Sequence, residues 1–135
     1  MTPGGGVYLR GGEDLRPEAL QRAIAEAERQ AEELDERLHA NRVRVDLSGR
    51  STVLVDDGLA TGATATAAAR SVRRARPAQL LVAVPVCAHD TAVALGREVD
   101  AVVCLRDIVD FRAVGLHYVD FGQVGDAEVR ALLGR

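Results

Sequence analysis

Thr52-Val53-Leu54-Val55-Asp56-Asp57-Gly58-Leu59-Ala60-Thr61-Gly62-Ala63-Thr64 is the stretch on which the fold of this chain turns. Its first four residues form a short apolar run with β-branched members, the pattern of a buried strand. Two adjacent carboxylates, a glycine and a loop of small residues follow. An Ala-rich helical pattern starts at Ala65. That order brings backbone N–H groups and hydroxyls to a helix N-terminus, where an anion is stabilised. Gly62 has no side chain to hold a phosphate away. Thr61 and Thr64 can donate O–H groups to phosphate oxygens or cap the helix.

Asp56 and Asp57 restrict the ligand. Two carboxylates beside a phosphate loop repel a bare phosphate ester, so they must face another part of the same ligand. Ribose hydroxyls are one such part, because carboxylates accept strong hydrogen bonds from them. Mg²⁺ shared between carboxylate and phosphate oxygens is another. The residues therefore describe a ribose 5-phosphate site: the loop on the 5′-phosphate, the acids on the 2′ and 3′ hydroxyls.

The rest of the chain sets the frame. Its 135 residues suit one domain spanning 1–135, burying about two-thirds of its unfolded surface. A net charge of −3 makes nucleic acid an unexpected partner. All 17 basic residues are Arg, which excludes a P-loop lysine or a Schiff base. Cys87 and Cys104 lack metal or redox spacing and read as small core fillers in a reducing compartment. No apolar run suits a membrane span, so no membrane partner and a cytoplasmic location are expected.

Residues 1–12 read as a flexible start or a short strand at Val7-Tyr8-Leu9. Pro17 opens a long helix to about Asn41, with Leu20, Ile24, Ala27, Ala31, Leu34 and Leu38 on one apolar stripe. The stripe predicts a helix lying closely on another layer. Glu18–Arg22 and Glu33–Arg37 are spaced as i,i+4 pairs. Val43 to Leu47 reads as an edge strand or an extended lead-in. The core, 52–109, holds the opening strand, a helix from about Gly62 to Ala75, a strand at Gln79–Val86, a short helix capped by Asp90, and a strand at Asp100–Leu105. Pro85 should sit at a strand end or on a free edge. Continuous apolar strands alternating with helices predict an α/β fold with a parallel sheet. In such sheets, ligands bind beyond the carboxyl ends of the strands. His89 lies after the second strand. His117 and Tyr118 lie in a tail, 110–135, that carries three of the four aromatics and can stack on a base or close the core. Asp126 is the expected cap of a last helix, Ala127–Leu133.

Val53 to Thr64 resembles the phosphoribosyl-pyrophosphate (PRPP) signature of the type I phosphoribosyltransferases. The strand Leu81–Val86 and the tail Phe111–Gly115 with Tyr118, Asp120 and Phe121 are similar to an uncharacterised bacterial subgroup with that domain. The resemblance implies transfer of phosphoribosyl from PRPP to a nitrogenous base, with release of pyrophosphate and Mg²⁺ as cofactor. It implies that Asp56 and Asp57 bind the ribose hydroxyls as the catalytic acids. Ala60, Thr61, Gly62, Ala63 and Thr64 would hold the 5′-phosphate. No dedicated nucleophile is expected, because such catalysis rests on positioning and charge stabilisation. No metal ligand set stands out beyond Asp56 or Asp57.

Two features of that family are not found: a pyrophosphate loop on an early strand, and a mobile loop before the long helix. Leu9-Arg10-Gly11-Gly12 is only superficially like the former. The expected fold is type I phosphoribosyltransferase-like but lacks the N-terminal strands and pyrophosphate loop, with about three parallel strands where the family has five. The Val53–Asp57 strand should then show a free edge and an apolar face. This predicts a homo-oligomer or pairing with a missing N-terminal portion. The alternative function is a PRPP- or nucleotide-binding module without catalysis, or one half of a split enzyme.

Overall fold

The computed structural model describes residues 16–39 and 45–132. Val7-Tyr8-Leu9, Leu9-Arg10-Gly11-Gly12 and the first residues of the 43–47 stretch lie outside the described residues. The elements run α1 (Pro17–His39), β1 (Ser51–Val55), α2 (Ala63–Arg74), β2 (Gln79–Ala88), α3 (His89–Leu95), β3 (Ala101–Ile108), a 3-10 turn (Val114–His117) and α4 (Asp126–Leu132). The strands form one parallel sheet in the order β1-β2-β3. Ser51 pairs with Gln79 and Val55 with Ala83, and Leu81 pairs with Ala101 across the second ladder. Parallel neighbours need crossovers, and α2 and α3 supply them.

Both crossover helices bury one face of the sheet. Leu80, Val82 and Val84 of β2 join Leu59, Ala65 and Ala69 in the core, with Leu95 and Val99 beside them. The small residues of α2 let it lie close to the strands: Ala65, Thr66, Ala69 and Ser71 are buried. At its far end, Arg76 takes a left-handed conformation with φ 53°, and Ala75 and Arg76 N–H bond back to Val72 and Arg73. Glycine normally fills that place. Arg73 then reaches Asp100 at 2.9 Å, and Asp100 exchanges bonds with Leu80: Leu80 N–H donates to its carboxylate at 2.7 Å, and its own N–H donates to the Leu80 carbonyl at 2.8 Å. These contacts tie α2 and the start of β3 to the central strand.

The opposite face is different. Side chains alternate across a strand, so Val53 and Val55 point away from the helices, as do Val103 and Leu105. They are 53%, 78%, 50% and 80% exposed. Among the described residues β1 pairs only with β2, so its outer edge is free, as the sequence predicts.

Several local expectations are corrected. Pro85 lies inside the central strand, not at its end. The β1 ladder has already stopped at Val55–Ala83, and the β2–β3 register passes over Pro85, so the missing N–H breaks no rung. Asp90 is in the first turn of α3, whose N-cap is Ala88. Asp126 is the first residue of α4; it pairs with Arg37 at 3.3 Å, while the helix backbone closes onto Gly125. Glu33 is taken by Arg29 instead of Arg37. Arg22 bonds the Glu18 carbonyl rather than its carboxylate. The stripe of α1 is only part-covered: Leu20, Ile24 and Ala31 are half-buried, while Ala27 and Leu34 are exposed. Residues 45–47, the described part of the 43–47 stretch, carry no strand.

Candidate functional site

The acidic pair begins where β1 ends. Asp56 N–H still donates to the Ala83 carbonyl at 3.4 Å, and Asp57 N–H turns back to Asp56 Oδ1 at 3.0 Å. Both side chains are exposed at the carboxyl end of the sheet. Behind them the chain dips inward. Leu59 is buried and forms a one-residue parallel bridge with Cys87, its N–H on Val86 and its carbonyl accepting from Ala88. An apolar anchor thus fixes a polar turn to the second strand.

Gly58 and Gly62 allow this path for different reasons. A Cβ at Gly58 would lie 2.8 Å from Val114 and 2.9 Å from Val86, so the turn is wedged between the core and the tail. Gly62 is buried, takes φ 70° as the N-cap of α2, and would place a Cβ 2.5 Å from Thr91. Only glycine meets the steric and conformational demand together. Thr91 also donates its hydroxyl to the Ala60 carbonyl at 2.7 Å. Thr61 Oγ1 accepts from Ala63 N–H at a long 3.4 Å. Ala60, Thr61 and Thr64 are exposed around the N-terminus of a 12-residue helix. The arrangement presents N–H and O–H donors on one side and two carboxylates on the other.

The tail closes the turn from above. Tyr118 donates its hydroxyl to the Asp57 carbonyl at 2.6 Å, and Val114 packs over Gly58. Phe111 stacks on His117 with centroids 5.3 Å apart, and Tyr118 meets Phe121 at 5.1 Å. Tyr118 is therefore a brace of the acidic turn, and the aromatics of the tail face one another in pairs.

At the ends of β2 and β3, His89 Nδ1 lies 2.8 Å from Asp107 Oδ2. The hydrogen bond to Asp107, and then its charge, raise the His89 pKa. Burial pushes the Cys87 thiol up to about 12, helped by its bond with Cys104. Cys87 is thus an inert filler, as expected; Cys104 is only half-buried. Sequence reasoning missed Thr91, Val114 and Asp107. Thr91 reaches across 31 residues and Tyr118 across 61, and no local pattern marks either contact.

Fold and site together define a parallel α/β domain with a strand–acidic turn–helix site at the carboxyl edge of its sheet. No family model matches the chain. Two curated relatives from Mycobacterium tuberculosis, strains CDC 1551 / Oshkosh and ATCC 25618 / H37Rv, each bear the name "Putative phosphoribosyl transferase". Each is 40% identical over 115 residues, which is 85% of this chain but 25% of the relative. The crystal structure of TT1426 from Thermus thermophilus superposes with a TM-score of 0.79 at 36% identity, covering 94% of this chain and 61% of that one. The resemblance to the phosphoribosyltransferases therefore holds across most of this chain, which spans about a quarter of the curated relatives' length. Among the described residues no helix is long and apolar enough to cross a membrane.

Proposed function

We propose that the Asp56–Thr64 loop binds the ribose 5-phosphate part of PRPP or of a nucleotide, and that the chain serves phosphoribosyl transfer to a nitrogenous base in cytoplasmic nucleotide salvage. The observation that carries this is the pinned turn: Leu59, Gly62 and Thr91 fix the path from two exposed carboxylates to a helix N-terminus. In this reading the N–H groups of residues 61–64 and the threonine hydroxyls take the 5′-phosphate. Asp56 and Asp57 accept hydrogen bonds from the ribose hydroxyls and stabilise the positive charge that builds on the sugar as pyrophosphate departs.

The bond from ribose C1 to pyrophosphate oxygen breaks, and a bond to the base nitrogen forms. Bound Mg²⁺ supplies charge neutralisation on the leaving pyrophosphate, and Asp56 or Asp57 is the group that would hold it. A pair of carboxylates fits that task, since Mg²⁺ on a phosphorylated substrate commonly uses one or two carboxylates plus phosphate oxygens. The free edge of β1 and the exposed valines beside it support a further part of the proposal: a second copy of the chain, or an added N-terminal portion, covers them.

That free edge also favours a second reading, a PRPP- or nucleotide-binding module that does no chemistry. Calorimetry with PRPP and Mg²⁺, beside a pyrophosphate-release assay over a panel of bases, separates the two. Binding with release supports transfer, and binding without release supports the module. Binding that survives both Asp56→Asn and Asp57→Asn, or no binding, overturns both.

A further inference from the structure

We propose that His89, oriented by Asp107, is the specificity-determining contact for the base side of the ligand held by the Asp56–Thr64 loop. This rests on the phosphoribosyl reading and goes beyond it by naming the group that reads the base. His89 opens α3 directly after β2, and its sequence neighbours touch the loop on both sides. Cys87, two residues before it, bridges Leu59. Thr91, two residues after it, holds Ala60 and packs against Gly62. His89 is thus carried by the segment that shapes the loop, at the same carboxyl edge of the sheet.

The ring is oriented and accessible. Nδ1 is engaged by Asp107 at 2.8 Å, which fixes one nitrogen and leaves Nε2 as the atom that can meet a ligand. Both side chains remain about half exposed, at 48% each. Asp107 is itself placed by β3, one residue before its end, in register with Cys87. With Nδ1–H on Asp107, Nε2 accepts when the ring is neutral and donates when it is protonated, the form that the carboxylate favours. It therefore suits the hydrogen-bonding edge of a base, which offers both acceptors and donors. A contact that only joined β2 to β3 would have no effect on which base is bound.

Calorimetric titration of the whole chain with ribose 5-phosphate and with AMP, GMP, CMP and UMP tests this. At least one nucleotide is expected to bind about tenfold more tightly than ribose 5-phosphate, the scale of one hydrogen bond. His89→Ala should erase that preference and leave ribose 5-phosphate affinity unchanged, and Asp107→Asn should reduce the preference. Thermal melting checks that both variants fold. A nucleotide preference that survives His89→Ala, an equal loss for ribose 5-phosphate, or no preference in the unaltered chain overturns the proposal. Ribose 5-phosphate failing to bind, while nucleotide binding still depends on His89, would remove the loop's role and keep that of His89.

Discussion

The two faces of the sheet are built from similar residues and meet different surroundings. On one face Leu80, Val82 and Val84 lie under α2 and α3 with almost no exposure; on the other, Val53, Val55, Val103 and Leu105 are half exposed or more. The reason is topological. With strands in the order β1-β2-β3 and crossovers of one hand, successive helices fall on the same side. Among the described residues no helix covers the other side. The apolar composition of the strands thus suits a sheet covered on both faces, while the described elements cover one.

Substitutions on the two faces separate them most sharply. Val82→Lys places an unpaired charge in the core and should abolish cooperative folding, whereas Val103→Lys should change the stability of the monomer by about 0.5 kcal/mol or less. Circular dichroism melts check both. If Val103→Lys is as damaging as Val82→Lys, the outer face is covered in solution. Leu80→Ala should cost about 2–5 kcal/mol in urea unfolding, against about 0.5 kcal/mol or less for Leu105→Ala.

Gly62 couples the covered face to the site. Gly62→Ala forces a left-handed conformation, costing about 1–2 kcal/mol, and drives a methyl into Thr91. Unfolding should shift by at least that amount, and ribose 5-phosphate affinity should fall with it. Gly49 also has a positive φ, 68°, but open space around its Cβ, so Gly49→Ala pays the conformational part alone.

A smaller effect concerns pH. Arg70 lowers the Glu98 pKa through its hydrogen bonds. Arg73, and then the Leu80 N–H, lower that of Asp100. For a depressed carboxyl group, the stabilisation is complete above the unfolded pKa and is lost as pH falls through the folded one. Urea unfolding from pH 5 down to 3 should therefore show a shallower acid loss in Glu98→Gln/Asp100→Asn than in the unaltered chain. Equal slopes would remove these pairs from the covered face's stability. Salt should weaken the effect, because the pairs are exposed.

Much of this was legible beforehand. The strand–acid–loop–helix order fixes β1, the turn and α2, because β-branched run, Asp pair, Gly62 and alanines each have a local physical meaning. The α/β class follows from the alternation of apolar strands and helices, and the free edge of β1 from the strands that the family resemblance implies are missing. The contacts that hold the turn were not legible. Thr91 and Tyr118 act over long sequence separations, and their residue types have many other uses. Asp90 and Asp126 look like caps, yet tertiary geometry places Ala88 and Gly125 there and gives Asp126 to Arg37. The bare apolar face is expected only through the resemblance, which implies missing strands; the continuous apolar strands themselves show no alternation.

The proposed function depends on the acidic pair reading ribose hydroxyls. Titration calorimetry with ribose 5-phosphate and 2-deoxyribose 5-phosphate tests it directly. The chain should prefer the ribose sugar by about tenfold or more, as a hydrogen bond to a charged group requires. Asp56→Asn/Asp57→Asn should bind both sugars weakly and nearly equally. Equal affinities in the unaltered chain, or a preference that survives loss of both carboxylates, would contradict it.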